Sequence, residues 1–432
     1  MERGITRREF LNATALSSAG LLLAPRGFAE NSSRAKSVIQ VWLWGGAAHT
    51  DTFDPKPNAG SDYTGPLDKV IETNVPGIII SASLPELAKQ ADKFSLIRSM
   101  THGVNAHETA SYITQTGRIP NGTVYPCIGA VVSLFKGSEG GYKGLIPPYV
   151  VITRPQGRFS EAGFLGNKYK PFATGGDPSK PIFAVEGVVA QDISRERQLS
   201  RRNLLEKTDI LAREARLSET VKDYNRAGEA AYDLILGDAG KVFDLSQEKP
   251  ELCEKYGKTS FGQACLVARR LVEKGVPYVT INYEGWDTHK SHFNTMQRKL
   301  PELDKGLSSL LQDLSDRGLL ESTVVWCCGE FGRTPKVQWD PPWNGGRNHY
   351  GRVFSALVAG GGFKGGVVVG ASDSKGESVA ERPIYPVDLL ETIYSLLGID
   401  INAKLPHPQG RDEKVLDIAN IALRNGIIKE LV

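Results

Sequence analysis

Six short apolar runs, separated by helical patterns, constrain the fold of this chain more than any other feature. They are Val38–Trp44, Phe94–Arg98, Tyr149–Ile152, Tyr278–Asn282, Thr323–Cys328 and Ser355–Ala359. Runs apolar at nearly every residue are buried on both faces, unlike the alternation of a half-exposed strand. Helical periodicity fills the gaps at Glu86–Ala91, His107–Thr116, Ile128–Leu134, Phe261–Glu273, Phe293–Leu314 and Pro386–Leu397. This alternation predicts an α/β fold: a three-layer sandwich with a mostly parallel sheet covered on both faces. Residues 155–252 break the rhythm. A Gly/Pro-rich stretch from Gly163 to Pro181 leads into a charged helical pattern from Asp192 to Leu245, which reads as a helical or irregular insertion in one domain spanning 36–432.

The chain opens on a different kind of signal. Arg7-Arg8 precede Phe10-Leu11, an apolar run extends from Ala13 to Ala24, and Gly27-Phe28-Ala29 closes it. A basic start, a short apolar run and a small-residue exit form a secretory signal peptide. The paired arginines resemble the twin-arginine export signal, which implies the twin-arginine machinery as a partner and a periplasmic or extracellular destination. The apolar run is too short for a stable membrane span. Removing residues 1–29 takes away four Arg and two Glu, leaving 48 basic and 47 acidic residues. So balanced a chain is not a dedicated nucleic-acid binder. Five Cys in 432 residues make no disulfide framework. Cys327 and Cys328 are adjacent in a strand and read as core residues on opposite faces.

The polar residues that carry chemistry gather just beyond the strands, where open parallel sheets bind ligands. Six of the seven His (49, 102, 107, 289, 292 and 349) lie in such segments; His407, in Leu405-Pro406-His407-Pro408, reads as a structural loop residue. Gly45-Gly46-Ala47-Ala48-His49-Thr50-Asp51 follows the first strand, with Asp54 further on. His102 to Thr109 follows the second and opens a helix. Gly285-Trp286-Asp287-Thr288-His289 and His292 follow the fourth. An Asp with His at +2 and +5 offers one oxygen and two imidazoles to a borderline metal such as zinc. Glu330, after the fifth strand, is a candidate ligand or base, and Arg333 a candidate clamp on an oxyanion. A loop rich in Trp, Pro and Gly (336–352) ends in Arg347-Asn348-His349 and is placed to build a binding site. Trp42, Trp44, Trp286 and Trp326 lie in or beside strands and read as core.

Asp51-Thr52-Phe53-Asp54-Pro55-Lys56-Pro57, Gly285-Trp286-Asp287-Thr288-His289, Gly329-Glu330-Phe331-Gly332-Arg333-Thr334-Pro335 and Gly346-Arg347-Asn348-His349-Tyr350 together resemble domain-of-unknown-function family 1501. Such proteins are similar to exported bacterial members of the alkaline phosphatase and sulfatase superfamily. The resemblance implies an alkaline-phosphatase-like fold and a divalent metal (zinc, calcium or magnesium). Carried over, Asp287, His289 or His292, and His349 form one metal shell, and Asp51 or Asp54 with Glu330 a second or shared one. Arg347, Asn348 and His49 become candidate substrate-binding residues. The sequence departs from the superfamily at the nucleophile. Alkaline phosphatases place a Ser at the start of a helix ending Ser-Thr-Gly; here the comparable helix ends Gln115-Thr116-Gly117 and His107 takes that place, with Thr109 on the next face. The sulfatase pattern of Cys or Ser followed by x-Pro-x-Arg is also missing. His107 is therefore a candidate nucleophile, proton donor or ligand.

The expectation is an exported metal-dependent hydrolase of phosphate or sulfate esters, small-molecule or polysaccharide, with His107 and Arg333 as candidate catalytic residues. The alternative is a degenerate hydrolase that binds polysaccharide or a cell-envelope partner without turnover.

Overall fold

Eight strands form the central sheet of the computed structural model, which describes residues 34–155, 161–186, 193–208, 237–418 and 423–432. In chain order they are β1 (Ser37–Leu43), β2 (Phe94–Met100), β3 (Tyr149–Ile152), β4 (Phe172–Ala173), β5 (Tyr278–Tyr283), β6 (Thr323–Cys328), β7 (Phe354–Ala359) and β8 (Val368–Val369). Their spatial order is β8-β2-β7-β6-β1-β5-β3-β4. β1 lies at the centre, parallel to β5 (Val38 opposite Tyr278) and to β6 (Val38 opposite Val324). β7 is antiparallel to both its neighbours, β2 and β6. The mostly parallel sheet expected from the sequence is thus present. The carboxyl ends of β2, β6, β1 and β5 share one edge.

The six apolar runs are the six long strands, and their burial on both faces explains the pattern. One apolar cluster packs α3 (Ser260–Glu273) and α4 (His292–Asp316) on one face, through Leu266, Leu271, Leu303, Leu307 and Leu310. A second holds α2 (Ile128–Lys136) and α5 (Pro386–Leu396) on the other, through Val131, Leu390 and Ile393, with α1 (His107–Thr116) packed on α5. Cys327 belongs to the first cluster and Cys328 to the second, the opposite-face placement expected of neighbours in a strand. Trp42, Trp286 and Trp326 are buried; Trp44 is half-buried.

Two strands of the central sheet escaped the sequence. The two-residue strands β4 and β8 extend the sheet at its edges, and runs so short carry no periodicity of their own. β4 comes from within 155–252, so this segment pairs with the sheet through β3. Its Phe183, Val185, Val242 and Phe243 join the first core cluster. The helix Arg195–Thr208 and the short 3-10 helix Asp238–Phe243 are the described parts of the charged helical pattern; residues 209–236, like the expected export signal at 1–29, lie outside the described residues.

Candidate metal centre

Four strand ends meet at Asp287. β5 delivers Asp287 and His289, β6 delivers Glu330 and Arg333, β2 leads to His107 at the start of α1, and β1 ends in Gly45-Gly46. A short antiparallel pairing of Gly332–Arg333 with His349–Tyr350 sets His349 opposite Arg333. Gly45 is required here. Its φ of 108° suits glycine, and a Cβ would overlap the backbone nitrogen of Asp287.

The Asp287 carboxylate, with its side chain 45% exposed, is shared by three imidazoles and a guanidinium. Oδ1 lies 3.0 Å from His289 Nε2, 3.1 Å from His349 Nε2 and 2.5 Å from Arg333 Nη2; Oδ2 lies 3.3 Å from His107 Nε2. The His289 and His349 Nε2 atoms are 2.9 Å apart. Phe331 lies beneath His107 and His349, with ring centroids at 5.0 and 4.7 Å.

What fixes the chemistry is the far nitrogen of each ring. His349 Nδ1 donates to the Asn105 carbonyl at 2.7 Å, and a carbonyl can only accept. His107 Nδ1 donates to Glu330 Oε1 at 2.6 Å. Asn348 gives its amide nitrogen to Gln338 Oε1 at 3.0 Å, which leaves its oxygen to accept from His289 Nδ1 at 2.8 Å. With every Nδ1 protonated, the neutral form of each ring aims an Nε2 lone pair at the same place as the Asp287 carboxylate. Lone pairs so close repel unless a proton or a metal cation lies between them. This arrangement of outer acceptors orienting inner imidazoles is how metal-ligating His are held. His107, Asp287 and His349 place one potential ligand atom each within 4.8 Å of one another.

Electrostatics agree. Hydrogen bonds to Asp287 and Glu330 push the His107 imidazole up to about 9. Burial opposes ionisation of Asp287, but hydrogen bonds from His107 and His349 and the charge of Arg333 hold its carboxyl well below the usual range. Glu330 is buried beneath the centre, accepting the Gly45 N–H at 3.0 Å as well as His107; its carbonyl accepts from His102 Nε2 at 2.7 Å.

The structure places the remaining candidates elsewhere. Asp51 and His292 form a separate buried network with Arg347. Arg347 Nη2 donates to Asp51 Oδ1 at 2.9 Å, His292 Nε2 to Asp51 Oδ2 at 2.7 Å, and Thr288 Oγ1 meets His292 Nδ1 at 2.6 Å. Burial lowers the His292 pKa, and both its nitrogens are engaged away from Asp287. Arg347 is 0% exposed and donates also to the Tyr63, Thr334 and Pro335 carbonyls. Arg333 is equally buried. Besides Asp287 it donates to the carbonyls of Gly45, Gly46 and Arg347, so it steadies Asp287 where the sequence suggested an open clamp. Asp54 pairs with Lys56 at 3.0 Å. His49 is buried against the Gly376 carbonyl at 2.9 Å, away from solvent. His407 packs on Phe164 in its loop. Sequence reasoning overlooked Asn105, whose role is played by a backbone carbonyl, and Phe331, an apolar residue inside a polar motif.

Among known proteins, the model of the family described as "Protein of unknown function (DUF1501)" matches residues 35–426. The chain belongs to that family. No curated protein matches it in sequence. Similar solved structures include the PsFucS1 sulfatase from Pseudoalteromonas sp., with 16% identity and a TM-score of 0.39 over 93% of this chain and 74% of that one. A protein in the alkaline phosphatase superfamily from Vibrio parahaemolyticus has 11% identity and a TM-score of 0.35 over 85% and 67%. The C-terminal periplasmic domain of EcEptC from Escherichia coli, in complex with Zn, has 10% identity and a TM-score of 0.34 over 93% of each chain.

Proposed function

We propose that this chain is an exported, metal-dependent hydrolase of phosphate or sulfate esters. The observation that carries the reading is the convergence of three Nε2 atoms on the Asp287 carboxylate, each with its Nδ1 fixed by an outer acceptor. The donor set is rich in nitrogen, which suits zinc better than calcium or magnesium, whose shells are built of oxygen. Asp287, His289 and His349 would hold the ion, with His107 on its open side. When bound, such an ion polarises the ester oxygen and stabilises charge on the transferring group.

The chain's own residues supply the rest. Glu330 keeps the His107 Nδ1 proton in place, so Nε2 is the atom that takes up or delivers a proton, and the half-exposed ring can meet a leaving-group oxygen. Arg333 holds Asp287 in position. Among the described residues no Ser, Thr or Cys side chain hydrogen-bonds to Asp287, His107, His289 or His349, which favours water as the attacking group. The signal at residues 1–29 supports export.

Metal content and the hydrolysis of an aryl phosphate and an aryl sulfate test this reading. Asp287→Ala is expected to lose both bound metal and turnover. A wild-type chain that takes up no zinc, with activity unchanged in Asp287→Ala, would overturn it. A second reading rests on Trp339, 45% exposed and stacked on Phe293, and on Trp343, 6.4 Å from His289. An exposed indole suits carbohydrate, and glycan binding that survives chelator without turnover of any ester would favour a binding protein.

A further inference from the structure

The segment that joins β2 to α1 carries two histidines, His102 and His107, and they hold Glu330 through opposite ring nitrogens. The Val104 N–H donates to His102 Nδ1 at 3.0 Å, so that nitrogen presents a lone pair. The proton of the neutral ring is then on Nε2, which donates to the Glu330 carbonyl at 2.7 Å. Burial lowers the His102 pKa, which favours this neutral form. His107 is the reverse: Nδ1 donates to Glu330 Oε1 at 2.6 Å, and Nε2 faces Asp287.

Glu330 lies between the end of β6 at Cys328 and the short pairing that begins at Gly332, and belongs to neither. Its carbonyl is met by His102 and, at a longer 3.3 Å, by Thr114 Oγ1 from α1. Its buried carboxylate accepts from Gly45 and His107. Residues 102–116 therefore grip Glu330 at both ends, by the peptide and by the carboxylate. The His102 end is itself fixed. The amides of His102 and Gly103 donate to the Gly351 carbonyl at 3.1 and 2.9 Å, and the imidazole packs on Phe354 with ring centroids 5.3 Å apart. A Cβ on Gly351 would overlap the Val104 backbone, so the loop can approach only a glycine there. Were the Glu330 peptide free to turn, Oε1 would leave His107 Nδ1 and nothing would keep the proton on that nitrogen.

We propose that His102 is a positioning residue of the centre. By donating from Nε2 to the Glu330 carbonyl it holds the Glu330 carboxylate against His107 Nδ1, and so keeps His107 Nε2 free for proton transfer beside Asp287. His102 itself touches neither Asp287 nor the open side of the site. The effect on turnover rests on the hydrolase reading; the effect on the His107 ring does not.

The test compares His102→Leu, which has no donor, with His102→Gln, whose amide N–H falls near the place of Nε2. In the metal-free full chain, long-range proton–nitrogen NMR of labelled histidines at pH 10, where the His107 ring is neutral, reports which of its nitrogens carries the proton. The wild type and His102→Gln are expected to hold it on Nδ1. In His102→Leu most of it moves to Nε2, the ordinary place in a free imidazole. Should His102→Leu not fold, His102→Asn replaces it, since its amide falls near Nδ1 and does not reach the carbonyl. With zinc and an aryl ester, kcat is expected to fall about tenfold in His102→Leu, with KM little changed, and to recover in His102→Gln. The same His107 tautomer in wild type and His102→Leu, a His102→Gln chain that behaves as His102→Leu does, or an unchanged kcat in His102→Leu would each overturn the proposal. The expected tautomers in a wild type that turns over no ester would count against the hydrolase reading and leave the hold of His102 on His107 standing.

Discussion

Asn348 does not touch Asp287, yet it decides which nitrogen of His289 is available. Without its oxygen the ring is free to move its proton to Nε2 and turn its lone pair away. Asn348→Ala is expected to weaken zinc binding by about 10–100-fold, while Asn348→Asp, which keeps an acceptor, restores much of it. Competition with a chromophoric chelator measures both, and equal affinities in the two variants would remove Asn348 from the site. Lys299 makes a second residue-level prediction. Burial pushes its ammonium down to about 8 from an ordinary 10.5. Between those values the unfolded chain holds a proton that the folded chain has released, so stability rises with pH across that window, and the penalty is fully present below 8. Lys299→Met is therefore expected to raise stability at pH 7 by up to about 3 kcal/mol, an advantage that fades as pH approaches 10.5. Urea midpoints at pH 7 and pH 10 check this; the same gain at both would refute it.

At the scale of elements, the buried contacts of Asp51, His292 and Arg347 tie together the segment after β1, the start of α4 and the Trp-rich loop. Breaking a buried ion pair from one side leaves the other charge stranded. Asp51→Ala is expected to destabilise the fold by about 3–5 kcal/mol, whereas the double change Asp51→Leu with Arg347→Met costs much less. Denaturant unfolding of the two variants checks the order. The long strands and the start of α1 at His107 were legible because burial on both faces writes itself into the sequence as unbroken apolar runs. That Asp, Glu and His would gather past those runs was legible too. Which of them meet was not. Asp51 and Asp287 both follow strands, and both sit near His and Arg. Only the fold separates the network that is sealed, Asp51 with His292 and Arg347, from the one that is half open to solvent.

For the whole molecule, a formal net charge of only +3 over 432 residues means that an anionic ester would be recognised locally rather than drawn in by the general field. Among the described residues no helix is long and apolar enough to cross a membrane. All five cysteines are unpaired and four are buried. Replacing Arg7 and Arg8 by Lys together is expected to retain the protein in the cytoplasm without changing its metal content. Cell fractionation checks this, and undiminished export would refute it.

The reversed direction of β7 has one more consequence. Parallel neighbours must be joined by a return across the face of the sheet, usually a helix. Because β7 runs against β6, the chain between Cys328 and Phe354 leaves and re-enters at the same edge, and it carries Glu330, Arg333, Trp339, Asn348 and His349 on the way. That stretch is in effect a cassette. Its tip, Trp339 to Gly345, can lengthen or shorten without re-threading any strand, while Glu330, Arg333 and His349 keep their hold on His107 and Asp287.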